Sequence, residues 1–188
     1  YIEPLANASN QWVNLNSETE DLAEEISTAL VNKVYAPLSL DEWHDLQMNK
    51  VLSAIDEGAD ARAAELLKTI LIKIPQSVDA RESLASIHLN NGNLADASAI
   101  IQQGLAYTPA NPSLLTIKAR IFLEQGRSQE AIALLSSHHP SLSRFPDFYG
   151  TLAAAFQSEG RITDAGSLYK ALLQVEPDNS QYWLGYGM

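Results

Sequence analysis

Side chains able to do chemistry are few in this chain, and their spacing suits none of the common reactions. The four histidines are His44, His88, His138 and His139. A helical zinc site needs a second histidine or an acid four positions on, so that two ligands share one face. None of the four has such a partner. His88 falls in an apolar helical stripe, at the position taken by Phe122 and Phe156 in later segments, which predicts a packed histidine. His138 and His139 are adjacent and would point apart on a helix, which predicts a loop or surface pair. Cysteine is absent, so thiolate nucleophiles, thiolate metal sites and disulfides are excluded. There is no Gly-x-Ser-x-Gly elbow, and Gly185-x-Gly187 is too short to cradle a phosphate. The acid pairs Asp41-Glu42 and Asp56-Glu57 belong at helix ends or solvent faces. No catalytic residue, metal ligand or cofactor-binding residue is assigned; the sequence reads as a non-enzyme without a cofactor.

The composition narrows the class further. The chain has 188 residues, 46% of them apolar, enough for a core in one domain or one domain with an appendage. Net charge is −11, and residues 1–43 hold eight acids against Lys33 alone. Nucleic acid needs a cationic footprint that this chain lacks. No apolar run approaches the roughly 20 residues of a spanning helix. The chain opens at Tyr1 with no methionine and no signal peptide, which suggests a fragment whose upstream anchor, if present, lies outside it.

An internal repeat supplies the elements. Gly58, Gly92, Gly126 and Gly160 are spaced by 34 residues, and each has an alanine five positions on: Ala63, Ala97, Ala131 and Ala165. Pro75, Pro109 and Pro177 keep the same phase, with Ser143 in the vacant slot. Glycine ends a helix at little steric cost, alanine lets two helices cross closely, and proline stops the next helix. Apolar residues recur at helical spacing between them, as in Leu84, Ala85, Ile87 and Leu89, then Ala97, Ile100, Ile101 and Leu105. The predicted unit is helix, turn, helix, turn, and units of this kind bury their stripes only by stacking.

Glycine, alanine and proline at these offsets resemble the tetratricopeptide repeat. The resemblance implies an all-α, right-handed superhelical solenoid, to which the residues ahead of the repeats add an extra N-terminal helix. Its repeats fall at about 44–77, 78–111, 112–145 and 146–179, within a repeat domain of 39–188. A truncated fifth starts at residue 180, where Trp183 stands in the family's tryptophan slot, expected to pack with Tyr182 and Tyr186 on the preceding helix. Val51 in the slot of Ala85, Ala119 and Ala153 makes the first unit divergent. His138-His139-Pro140 predicts an early end to the second helix of the third unit and an irregular connection from Ser136 to Pro146. Residues 1–16 read as an extended or disordered leader. Ser17-x-x-Glu20 opens a helix over about 17–35, within a segment of 17–38 that either caps the solenoid or binds in a groove. Ser39-x-x-Glu42 caps the first repeat helix.

In such a stack the first helices of the units line a concave groove. The lining positions implied by the resemblance are Asp45, Met48, Leu52, Ile55 and Asp56, then Asp79, Glu82, Ser86, Leu89 and Asn90. Ser113, Thr116, Arg120, Leu123 and Glu124 follow, then Asp147, Gly150, Ala154, Gln157 and Ser158. Arg120 is the one base among them, which disfavours the carboxylate clamp of the family's chaperone-binding members. A protein or peptide segment with apolar anchors and some positive charge suits this surface; a homo-oligomer stays open. The run through Pro146-Asp147-Phe148-Tyr149, Tyr169, Leu172-Leu173, Pro177-Asn179 and Trp183-Leu184-Gly185 resembles the C-terminal repeats of the bacterial MSHA pilus-biogenesis N family. That implies an inner-membrane-anchored protein with a periplasmic repeat domain serving type IV pilus assembly. Three readings stand: a scaffold of a bacterial envelope machine such as a pilus or secretion system, a cytoplasmic adaptor or regulator holding a peptide, and the repeat domain of a larger enzyme.

Overall fold

The computed structural model of the chain describes residues 19, 22–26 and 38–187. Tyr1–Trp43 and His44–Met188 are two compact units. In the first, residues 19 and 22–26 are helical; the leader over 1–16 and the remaining residues of the expected 17–35 helix lie outside the described residues. Ser39 and Glu42 form a reciprocal capping box, with Ser39 N donating to Glu42 Oε2 at 2.9 Å and Glu42 N to Ser39 Oγ at 3.2 Å. The bond from the Ser39 backbone first, and then the Ser39 hydroxyl donating to the same Glu42 Oε2 at 2.9 Å, hold the Glu42 carboxyl below its usual pKa.

All regular elements among the described residues beyond this point are helices: α1 (Leu40–Asp56), α2 (Asp60–Lys73), α3 (Val78–Asn90), α4 (Leu94–Tyr107), α5 (Pro112–Glu124), α6 (Ser128–Ser136), α7 (Pro146–Ser158), α8 (Ile162–Val175) and α9 (Ser180–Gly187). The starts of α3, α5, α7 and α9 are 34 residues apart, as are those of α2, α4, α6 and α8. From α2 onward each helix packs on its chain neighbours, and α5 also packs on both α3 and α7. These three form an inner layer, with α4, α6 and α8 outside it.

The phased residues make this order possible. Gly58, Gly92, Gly126 and Gly160 have φ of 70, 73, 69 and 71°, and no other residue described has positive φ. Each closes the same cap. Gly126 N donates to Leu123 O at 2.9 Å and Arg127 N to Phe122 O at 2.8 Å, and the same pair of bonds recurs at the other three glycines. Ala63, Ala97, Ala131 and Ala165 are buried, as are Ala85, Ala119 and Ala153; a larger side chain at these crossings would cost about 1–3 kcal/mol in overpacking. Val51 fills the corresponding slot of the first unit and is also buried.

The third unit departs from the pattern, as its sequence predicts. Helix α6 has 9 residues against 14 in α2, α4 and α8. Its last turn is tied off locally: Ser137 Oγ donates to Leu134 O at 2.8 Å, and His138 Nδ1 lies 3.0 Å from the same carbonyl. Residues 137–145 then run without a helix to α7. Tyr149 of α7 pins this connection by donating to Pro140 O at 2.6 Å.

The end of the array differs from expectation. Tyr182 is buried on Tyr169 of α8, ring centroids 6.4 Å apart. Trp183 and Tyr186 do not join it: they are 55% and 46% exposed and pack edge-on against each other. No helix among the described residues follows α9 to cover that face.

Candidate interaction groove

The inner layer encloses a groove of about 650 Å³ against which α3, α5, α7 and α9 all present side chains. Helix geometry explains the set. Residues three and four apart share a face, so Glu82 and Ser86 on α3, Thr116 and Arg120 on α5, and Gly150 and Ala154 on α7 face the same space. Leu123 and Glu124 continue the α5 face, and Ser113 and Asp147 stand in the first turns of α5 and α7. Of the positions expected to line a groove, the structure therefore brings together Glu82, Ser86, Ser113, Thr116, Arg120, Leu123, Glu124, Asp147, Gly150 and Ala154.

Others are placed elsewhere. Leu89 is 8% exposed and packs in the core with Ala85, Ala97, Ile101 and Ile121. Gln157 is held by the chain itself, accepting from Tyr169 Oη at 2.8 Å and donating to Gly185 O at 3.0 Å. In the first unit Met48 is half-buried while Leu52 and Ile55 are 55% and 38% exposed, outside this groove; Asp79 and Asn90 on α3 also lie outside it.

Several lining residues escaped the sequence reading. Gln181 keeps the phase of Ser113 and Asp147, and carrying the repeat one unit further finds it. Arg144 and Phe145 belong to the irregular connection, where periodicity carries no information. Arg144 adds a second base, its guanidinium 5.5 Å from the Phe145 ring.

The electrostatics are uneven. Burial pushes the Glu82 carboxyl above its usual pKa; a hydrogen bond from Ser113 opposes this, and the charges of Asp79 and Asp147 reinforce it. The three acids thus lie within electrostatic reach at the N-terminal ends of the inner helices, and none of them has an ion-pair partner among the described residues.

The histidines lie apart from this groove. His44 Nε2 is 2.9 Å from Ser77 Oγ, the hydroxyl that also caps α3 by accepting from Ala80 N. His88 is half-buried with Nδ1 3.7 Å from Asp96. Among the described residues no three His, Asp or Glu side chains converge as a metal site, and no helix is long and apolar enough to cross a membrane.

The tetratricopeptide-repeat family model matches residues 54–121. No curated protein matches the chain. Among solved structures it is similar to that described as "Functional Characterization of Pseudomonas Aeruginosa pilF". The two are 20% identical with a TM-score of 0.68, over 78% of this chain and 67% of that one. A thermophilic tetratricopeptide protein of Thermus thermophilus, TTC0263, is 18% identical with a TM-score of 0.64, over 97% and 96% of the two chains. MamA from Desulfovibrio magneticus RS-1 is 15% identical with a TM-score of 0.59, over 76% and 81%.

Proposed function

We propose that this tetratricopeptide-repeat protein is a non-catalytic scaffold that holds a segment of a partner protein in the groove between α3, α5, α7 and α9. The observation that carries this reading is the groove itself. It is wide enough for several side chains, lined by apolar surface from Leu123, Phe145 and Ala154 as well as by charges, and built on helices fixed from behind by a packed core. Recognition by such a surface combines apolar anchors with charge complementarity.

The setting we propose is the assembly of a bacterial envelope machine, such as an MSHA-like type IV pilus or a secretion system. Two things support it: the resemblance of residues 130–188 to the MSHA pilus-biogenesis N repeats, and the structural likeness to the Pseudomonas aeruginosa pilF structure. In that setting the repeat domain is periplasmic.

A pull-down from bacterial envelope extract tests both levels. The wild-type chain should retain a pilus or secretion component, and Ala154→Arg, which places a long side chain in the groove, should lose it while keeping the wild-type melting temperature within a few degrees. Retention of cytosolic chaperones alone sinks the envelope setting. Equal retention by wild type and Ala154→Arg sinks the groove.

A further inference from the structure

One end of the groove holds a largely buried tyrosine whose hydroxyl finds no hydrogen-bond partner among the described residues. Tyr182 is 6% exposed, its ring lying over Gly150 so closely that a Cβ there would stand 3.2 Å from Tyr182 Cε1. Its hydroxyl makes no hydrogen bond among the described residues, yet no fully buried side-chain nitrogen or oxygen lacks a partner. The hydroxyl is therefore the part of this side chain that opens into the groove, which Tyr182 lines. Burial and then the charge of Asp147 push its pKa up to about 12, so it stays protonated at any physiological pH.

Asp147 acts on Glu82 as well as on Tyr182. Glu82 from α3, Ser113 from α5, Asp147 from α7 and Tyr182 from α9 all line this one groove. Two carboxylates without a cationic partner among the described residues, one of them partly desolvated, create a potential that a positive group would relieve. The free hydroxyl offers a lone pair to the same group. Arg120 and Arg144 line the groove too, and neither is ion-paired with these acids.

We propose that Glu82, Asp147 and the Tyr182 hydroxyl form a subsite for the cationic side chain, lysine or arginine, of the partner segment held in the groove. This rests on the groove being the partner site, and it adds which chemistry the partner must carry at that point. The ammonium or guanidinium donates to the two carboxylates and to Tyr182 Oη, whose own proton turns toward Asp147. Charge-assisted bonds of this kind are the strong ones, and partial burial limits their screening by salt.

The test uses short amphipathic peptides that are identical except at one position, which carries lysine, arginine, glutamine or glutamate, binding to the full chain immobilised on a sensor surface. In one register the lysine and arginine peptides should bind about tenfold tighter than the glutamine peptide, with glutamate weakest. The Glu82→Gln/Asp147→Asn double variant, close in shape and circular dichroism to wild type, should lose that preference while binding the glutamine peptide as before. Tyr182→Phe, which keeps the ring on Gly150, should reduce the preference about threefold. An unchanged preference in the double variant, or a preference for glutamate in every register, overturns the subsite. If glutamine peptides still bind the wild type and are lost in Ala154→Arg, the groove reading survives that failure. Peptides that bind nowhere overturn both.

Discussion

Arg81 and Trp183, three repeats apart, make the same hydrogen bond: each donates to the carbonyl of the proline six residues before it. Arg81 Nη2 meets Pro75 O at 2.6 Å and Trp183 Nε1 meets Pro177 O at 2.7 Å. The two side chains share nothing but a donor at the right reach. The bond fastens the start of one inner helix to the turn that precedes it. In the third unit Leu115 stands in this slot and packs in the core instead.

Arg81 is 5% exposed and has no carboxylate partner among the described residues; besides Pro75 O its guanidinium reaches Gln103 Oε1 at 3.3 Å and stands 5.4 Å from the Tyr107 ring. Burial lowers its pKa. Arg81→Ala should therefore cost about 2–3 kcal/mol, because it leaves a carbonyl unpaired and a cavity behind, and lower the melting temperature by about 5–10 °C. Arg81→Leu, the solution used at Leu115, should cost less. Arg81→Lys should fail to recover wild-type stability, since an ammonium cannot reproduce the paired guanidinium bonds that Pro75 O accepts, from Nε at 3.2 Å and Nη2 at 2.6 Å.

The turn glycines and the helical glycines predict opposite signs. Gly126 has φ of +69° and nothing within 4 Å of where a Cβ would stand, so Gly126→Ala should lose about 1–2 kcal/mol from backbone strain alone. Gly166 sits inside α8 with ordinary φ and equally open space, so Gly166→Ala should gain about 0.5–1 kcal/mol. Urea melts of the two variants check both signs.

Glu82 ties stability to pH in a defined direction. Its folded-state pKa is raised, so between the unfolded and folded values the native chain binds more protons than the unfolded one. Stability from this group falls as pH rises through that window. Glu82→Gln should then melt higher than wild type at neutral pH, by on the order of 1 °C once solvent screening is allowed for, and the difference should vanish as the pH falls below the usual glutamate range. A difference that grows on acidification would contradict the direction.

Helix α9 is seated by a glycine with no room for a methyl. A Cβ on Gly185 would run into the ring of Tyr169, whose hydroxyl is engaged by Gln157, itself bonded to Gly185 O. Gly185→Ala should lift α9 from α8, seen as faster amide exchange over residues 180–187 and weaker binding at the groove end formed by Tyr182.

The fold was legible because its signals are steric and local. A glycine that must take positive φ, an alanine at a crossing and a proline after a helix each act within a few residues, and they recur in phase. The early end of α6 was legible for the same reason, from His138-His139-Pro140. The site was legible only in part. Periodicity assigns a residue to a face, but cannot say whether a neighbour covers that face: Leu89 went to the core, and Gln157 was taken by its own chain. Trp183 looked like a packing residue and is exposed, because no described helix lies beyond α9 to cover it. Arg81 has no arginine counterpart in the repeat pattern, and it is buried because Gly104 leaves room for it; a Cβ on Gly104 would stand 2.8 Å from Arg81 Cδ.

The connection over 137–145 has a practical side. In a linear array each helix answers to its near neighbours, so a break in regularity at one joint does not spread. His139 is exposed there, and loop tips of this kind accept added sequence readily. A fluorescent or affinity module spliced in at His139 would report on partner capture from within the chain, leaving the groove helices and both termini untouched.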